Sequence, residues 1–176
     1  MVYQAEVYDI NKYSLGEGPV YDPRYGRLSW VDIIANKLYI KYKDGKVNCF
    51  DLGQPIGAAI PVKDSEDFIL AGRDGLYLYN KDQNTADMIF SMKGIYKEYW
   101  RSNDAKADPE GRIFVGATSE DDARPNEGNL YVADNGIKIA QANTKISNGL
   151  AWRSDKKTFY FSDSTEHAVF AYDYNK

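Results

Sequence analysis

Cysteine and histidine are nearly missing from this chain of 176 residues, which carries one of each. A lone Cys49 excludes an intrachain disulfide framework and any cysteine-based zinc site. Its surroundings, Val47-Asn-Cys-Phe50, predict an outer strand in which the thiol packs as a small hydrophobe rather than acting as a nucleophile. His167 follows Thr165-Glu166 in an expected turn and reads as a solvated loop residue, so no histidine cluster is available for a soft metal. Long apolar runs are lacking too. None approaches the roughly 20 residues that span a bilayer, which predicts no membrane partner. The opening MVYQAEVYDINKY mixes charges into its first residues and has no apolar core segment, so it does not read as a secretory signal, and the expected location is cytoplasmic. Lys and Arg number 22 against 26 Asp and Glu, a net charge of −4 with no polyphosphate-seeking signature, which excludes nucleic acid as a first partner. No Ser-His-Asp order and no phosphate-cradling glycine loop occurs, and no window of 11 or more residues carries a helical stripe.

What is abundant is tyrosine, 15 residues in all, and tyrosine favours half-buried sheet surfaces. Short segments of β-branched and aromatic residues, bounded by Gly, Asp, Asn and Pro, recur throughout. Examples are Arg27-Leu-Ser-Trp-Val-Asp-Ile33, Lys37-Leu-Tyr-Ile-Lys-Tyr42, Arg112-Ile-Phe-Val-Gly116 and Thr158-Phe-Tyr-Phe-Ser162. The pattern predicts an all-β protein. The strands also repeat. Asp22-Pro-Arg-Tyr-Gly-Arg-Leu-Ser-Trp-Val-Asp32 resembles Asp108-Pro-Glu-Gly-Arg-Ile-Phe-Val-Gly116, Ser154-Asp-Lys-Lys-Thr-Phe-Tyr-Phe-Ser-Asp163 and, more weakly, Lys63-Asp-Ser-Glu-Asp-Phe-Ile-Leu-Ala-Gly72. Measured from Arg27 to Asp67, Arg112 and Thr158 the steps are 40, 45 and 46 residues. A repeat of that length, with four short strands per unit, predicts β-propeller blades, with a β-sandwich as the alternative. Blades are expected at residues 17–52, 55–92, 100–143 and 146–175, one partial propeller domain of about three and a half to four blades. An open ring exposes sheet edges. The count therefore predicts a fragment, a truncated form, or a half-propeller completed by a second chain that associates through open blade edges.

Three constellations carry polar chemistry. In Leu15-Gly-Glu17-Gly-Pro19 a carboxylate sits between glycines at a strand start. It is either a loop glutamate in a turn or a metal-ligating carboxylate at the central channel. In Trp100-Arg-Ser-Asn-Asp-Ala-Lys-Ala-Asp-Pro109, Arg101 and Asn103 are two apart and face one side of an extended segment. A guanidinium beside a carboxamide suits a polar ligand or a carbonyl gaining negative charge; the plainer reading is an Asx turn with a solvated arginine. In Ile146-Ser-Asn-Gly-Leu-Ala-Trp152, Asn148 reads alone as an ordinary turn residue. Placement in the repeat changes this, because Glu17, Asn103 and Asn148 precede the same element of their blades and converge on the axis of a propeller. Oxygen donors alone suit a hard cation such as Ca²⁺, Mg²⁺ or Mn²⁺.

At these residues the chain resembles the SMP-30/gluconolactonase/regucalcin family, which includes luciferin-regenerating enzyme. The motifs that carry the likeness are Leu15-Gly-Glu-Gly-Pro-Val-Tyr-Asp22, Trp30-Val-Asp-Ile33, Arg101-Ser-Asn-Asp-Ala-Lys-Ala-Asp-Pro-Glu-Gly-Arg112 and Ser147-Asn-Gly-Leu-Ala-Trp152, extended by Phe159-Tyr-Phe-Ser-Asp-Ser164 and Tyr172-Asp-Tyr174. The resemblance implies a six-bladed propeller, one divalent metal ion (Ca²⁺, Zn²⁺, Mn²⁺ or Mg²⁺) and hydrolysis of a sugar lactone or related cyclic ester. It implies Glu17 and Asn148 as metal ligands and Arg101 and Asn103 as substrate contacts. In Ser119-Glu-Asp-Asp122 it points to Asp121 as a third substrate contact, shorter than the family's usual glutamate; otherwise the acidic run 120–122 is a solvated face. The family's Asn-Asp-Gly reads Asn103-Asp104-Ala105 here. Its remaining ligand, an aspartate that doubles as catalytic base, is implied in a fifth blade beyond residue 176, so the expected lactonase activity is impaired in this stretch alone. The contrasting expectation is a Ca²⁺- or ligand-binding propeller without turnover.

Overall fold

The computed structural model describes residues 3–121 and 127–174. Among these residues, fifteen strands and one 3-10 turn at Ser164–Glu166 make up the regular structure, and no helix among them is long and apolar enough to cross a membrane. The first sheet holds β1 (Gly16–Asp22), β2 (Arg27–Asp32), β3 (Lys37–Tyr42) and β4 (Val47–Asp51). The second holds β5 (Ile56–Pro61), β6 (Phe68–Gly72), β7 (Gly75–Asn80) and β8 (Thr85–Ser91). The third holds β9 (Trp100–Ala107), β10 (Ile113–Ser119), β11 (Gly128–Ala133) and β12 (Ile137–Thr144), and the fourth β13 (Ser147–Trp152), β14 (Thr158–Asp163) and β15 (Ala168–Asp173). Within each sheet every strand pairs antiparallel with its neighbour in sequence. The protein is all-β, four propeller blades of an incomplete ring, as the repeat predicted.

Period-two alternation explains the strands. In β3, Leu38 and Ile40 are fully buried while Lys37, Tyr39 and Lys41 point to the wetter side. In β14, Phe159, Phe161 and Asp163 go inward. Each pair of neighbouring blades then shares one apolar layer. Val31, Leu38 and Ile40 meet Ile56, Phe68 and Leu70 between the first and second blades. Ala71, Leu76 and Met92 meet Trp100, Val115 and Tyr131 between the second and third. Phe114 and Leu130 meet Leu150, Phe159 and Phe161 between the third and fourth. Burying each large side chain of this kind contributes about 1.5–3 kcal/mol, so the blades hold one another rather than standing alone. β15 is the outer strand of its sheet and all its residues are exposed.

Two polar devices recur with the blade period. Asp32 accepts from Ser14 N (2.8 Å) and Leu15 N (3.0 Å), and Asp163 accepts from Lys145 N (2.7 Å) and Ile146 N (3.1 Å). Each carboxylate thus ties down the segment that enters an inner strand. Burial pushes both carboxyls up, but the backbone donors outweigh it and hold them below the ordinary aspartate value. The second device joins blades. Arg27, fully buried, reaches Glu66 O of the second blade at 3.0 Å, and Arg112 reaches Tyr174 Oη beyond β15 at 2.7 Å. Their partners Asp22 and Asp108 close the turns that precede them. Cys49 departs from expectation: β4 is an outer strand, but its thiol is exposed rather than packed, because the odd positions of that strand face solvent.

Candidate functional site

The innermost strands β1, β5, β9 and β13 touch in that order around a central hole. Each loses register with its partner at one place near its start. Pairing is regular through Glu17↔Val31, Ile56↔Gly72, Ser102↔Ala117 and Asn148↔Ser162, and irregular just after. At that point or immediately after it stand Glu17, Gly57, Asn103 and Asn148. A β-bulge bends its strand and re-aims the local side chain, so at this level each blade presents one residue to the axis. Gly18 and Gly149, immediately after Glu17 and Asn148, both adopt φ +56°, a left-handed conformation that glycine takes without steric cost. That is why each polar residue is followed by glycine.

Glu17 and Asn148 line one cavity of about 460 Å³, together with Gly18, Ala58, Asp104, Lys106 and Gly149. The Glu17 side chain makes no hydrogen bond among the described residues, so its carboxylate is available. Asn148 donates from Nδ2 to Ser164 Oγ at 3.1 Å, which leaves its Oδ1 as an acceptor. Asn103 lies next to both blades and is 9% exposed; its Nδ2 donates to Ser147 O at 3.0 Å and its Oδ1 accepts from Arg101 Nη1 at 3.0 Å. Neither asparagine sits in a turn: both lie inside strands, so the Asx-turn and loop readings do not hold for them.

Arg101 and Asp121 belong to a second cavity, of about 760 Å³, at the end of the hole where the inner strands begin. Leu15, Ile33, Pro55 and Glu98 also line it. Arg101 donates to Ser102 O and to Asn103, and no carboxylate bonds it directly among the described residues. Burial pulls its guanidinium below the ordinary arginine value, while Glu120 and Glu17 act the other way and Arg73 reinforces the decrease. The charge stays, since an arginine remains protonated throughout the working range. Asp121 is held by its own backbone, its N donating to Ser119 Oγ at 3.2 Å. Glu120 beside it is no plain solvated carboxylate, because it pairs with Arg73 on the turn between β6 and β7. Asp122 of the same run lies outside the described residues. The five expected residues therefore fall into two groups. Glu17 and Asn148 share the inner cavity, Arg101 and Asp121 share the outer one, and Asn103 connects them through Arg101.

Sequence reasoning missed three contributors. Gly57 completes the series of bulge residues, and steps of 40, 46 and 45 residues from Glu17 to Gly57, Asn103 and Asn148 were there to be counted. Asp104 accepts from Gly149 N at 3.0 Å across the boundary between blades. The Arg73–Glu120 pair walls the outer cavity, and no local signal marks it.

The donor set fits a hard cation. Among the described residues no group of three or more His, Cys, Asp or Glu side chains converges. The inner cavity instead offers the Glu17 carboxylate and the Asn148 carboxamide oxygen, with the Asp104 carboxylate beside them, the ligand chemistry of Ca²⁺, Mg²⁺ or Mn²⁺.

The chain is similar to proteins of known name and structure. Regucalcin of Gallus gallus is 32% identical over 182 residues, covering 98% of this chain and 59% of that protein. The 6-deoxy-6-sulfogluconolactonase of Pseudomonas putida is 30% identical over 161 residues, covering 90% of this chain and 54% of that protein. The chain thus spans somewhat over half the length of the curated relatives it matches. The crystal structure of a calcium-binding protein, regucalcin, from Agrobacterium tumefaciens str. C58 superimposes with a TM-score of 0.87 at 24% identity, covering 95% of this chain and 56% of that one, a likeness of fold. The sequence pattern of the SMP-30/Gluconolactonase/LRE-like region matches residues 15–176. This chain is a member of the SMP-30/gluconolactonase/LRE-like family.

Proposed function

We propose that the protein hydrolyses a sugar lactone or related cyclic ester with the help of one divalent cation, held by Glu17 and Asn148. The observation that carries this reading is the shared inner cavity: an unengaged carboxylate and an unengaged amide oxygen, brought together from blades 131 residues apart by equivalent bulges. Relatives named as lactonase and regucalcin support it. A bound divalent cation supplies Lewis-acid polarisation of an ester carbonyl.

The chain's own residues would do the rest of the binding. Glu17 contributes the anionic oxygen and Asn148 a neutral one. Asn103, fixed by Ser147 O, holds the Arg101 guanidinium over the entrance. The free N–H groups of Arg101 donate to ring hydroxyls or to the carbonyl oxygen, and Asp121 accepts from a hydroxyl at the mouth. Ala58, Val20 and Leu150 give the inner cavity an apolar wall.

The test is hydrolysis of D-glucono-1,5-lactone followed by acid release, with Mn²⁺, Zn²⁺ or Ca²⁺ added and then chelated. The expected result is weak turnover above the spontaneous rate that chelation removes, because the aspartate base implied by the resemblance is not among these 176 residues. Cation binding without turnover would favour a binding propeller, and turnover indifferent to chelation would overturn the metal reading.

A further inference from the structure

Asp104 lies inside the bulge of β9: pairing with β10 breaks between Ser102↔Ala117 and Ala105↔Val115, which leaves Asn103 and Asp104 outside the regular register. The bulge in β13 breaks its pairing with β14 between Asn148 and Ala151, so the amides inside the bulge lose their strand partner. A carboxylate from the next blade takes one of them: Asp104 Oδ2 accepts from Gly149 N at 3.0 Å, a contact between residues 45 apart. Leu150 N also donates toward the same carboxylate. Gly149 adopts φ +56°, and its neighbour Asn148 lines the inner cavity.

We propose, resting on the reading above, that Asp104 is a positioning residue for the cation site: it clamps the β13 bulge through Gly149 N and thereby fixes the direction of the Asn148 carboxamide. It does so without being a ligand. Removing the acceptor leaves a backbone donor unpaired in a bulge that is held by little else. The strand then relaxes, and the Asn148 oxygen loses its aim at Glu17. Burial pushes the Asp104 carboxyl up against the opposing backbone donors, consistent with a group held in place by those donors.

Two readouts test this. In the cation-free protein, amide exchange at Gly149 should accelerate in Asp104→Ala and the side-chain amide signals of Asn148 should move. In Asp104→Asn both should stay near wild type, because a carboxamide oxygen still accepts the hydrogen bond. By calorimetry, D104A should lose about 10–100-fold in Ca²⁺ affinity and D104N less than about threefold, the scale seen when outer partners of ligands are removed. Should D104A fail to fold, D104G removes the same acceptor and gives the same readouts. Unchanged Gly149 exchange and Asn148 signals in the alanine or glycine variant would overturn the clamp whether or not a cation binds. Equal loss in D104N and D104A would assign the effect to charge and overturn it too. A wild-type protein that takes up no Ca²⁺ would sink the metal reading, while the exchange data would still decide the clamp.

Discussion

Exchanging Glu17 for glutamine is expected to weaken Ca²⁺ binding about 100-fold, on the order of 3 kcal/mol. The substitution keeps the shape of the side chain and removes the charge. Glu17 is the charged member of the proposed donor pair, the other being the Asn148 amide oxygen, and hard-cation affinity follows the number of charged ligands. The same change should leave the cation-free protein folded, with its thermal midpoint moved by no more than about 2 °C. Glu17 is exposed to the cavity and its side chain makes no hydrogen bond among the described residues, so little structure depends on it. Calorimetric titration checks the first half and a thermal scan the second. Unaltered affinity would move the cation elsewhere, and a large drop in midpoint would make Glu17 a structural residue.

Gly57→Ala should be the most damaging small substitution at the hole. A Cβ there would lie 1.9 Å from Asn103 O and 2.7 Å from the carbonyl carbons of both Ser102 and Asn103. These are backbone atoms of the neighbouring blade and cannot swing aside, so the second and third blades must separate. Overpacking of this kind costs about 3 kcal/mol, which for a chain of this size lowers the thermal midpoint by about 6–12 °C. The damage should reach the site, because Asn103 is the residue pushed and it holds Arg101. A midpoint within about 2 °C of wild type would mean that the blades are not packed as closely as the structure has them.

The fold was legible because its signal is local and repeated. Alternation in segments such as Lys37–Tyr42 and Thr158–Phe161 depends on side chains two apart. The turn-plus-strand pattern around Asp22 and Asp108 then recurs near the blade length. That Glu17 and Asn148 would line one cavity was legible for the same reason, since a repeat carries equivalent positions to one axis; Asn103 stands one residue further along its own bulge. The remainder is built from contacts that periodicity does not announce. Asp104 reads as part of an asparagine-aspartate turn until Gly149, from another blade, is found donating to it. Gly57 carries no chemistry by type, and its meaning is the backbone it touches. Arg27 and Arg112 mark turn ends in the sequence, whereas their reach to Glu66 and Tyr174 across blade boundaries comes only with the assembled ring. The two-cavity division of Arg101 and Asp121 from Glu17 and Asn148 belongs to this class as well.

The most direct measurement is paramagnetic broadening of the backbone amide spectrum on titration with Mn²⁺. A cation gathered by the inner-strand bulges should broaden Glu17, Gly18, Asp104 and Gly149 first, residues scattered over the whole chain but adjacent at the hole, and the pattern should vanish in Glu17→Gln. Broadening centred on the exposed acids of the outer turns, or none at all, would contradict the account.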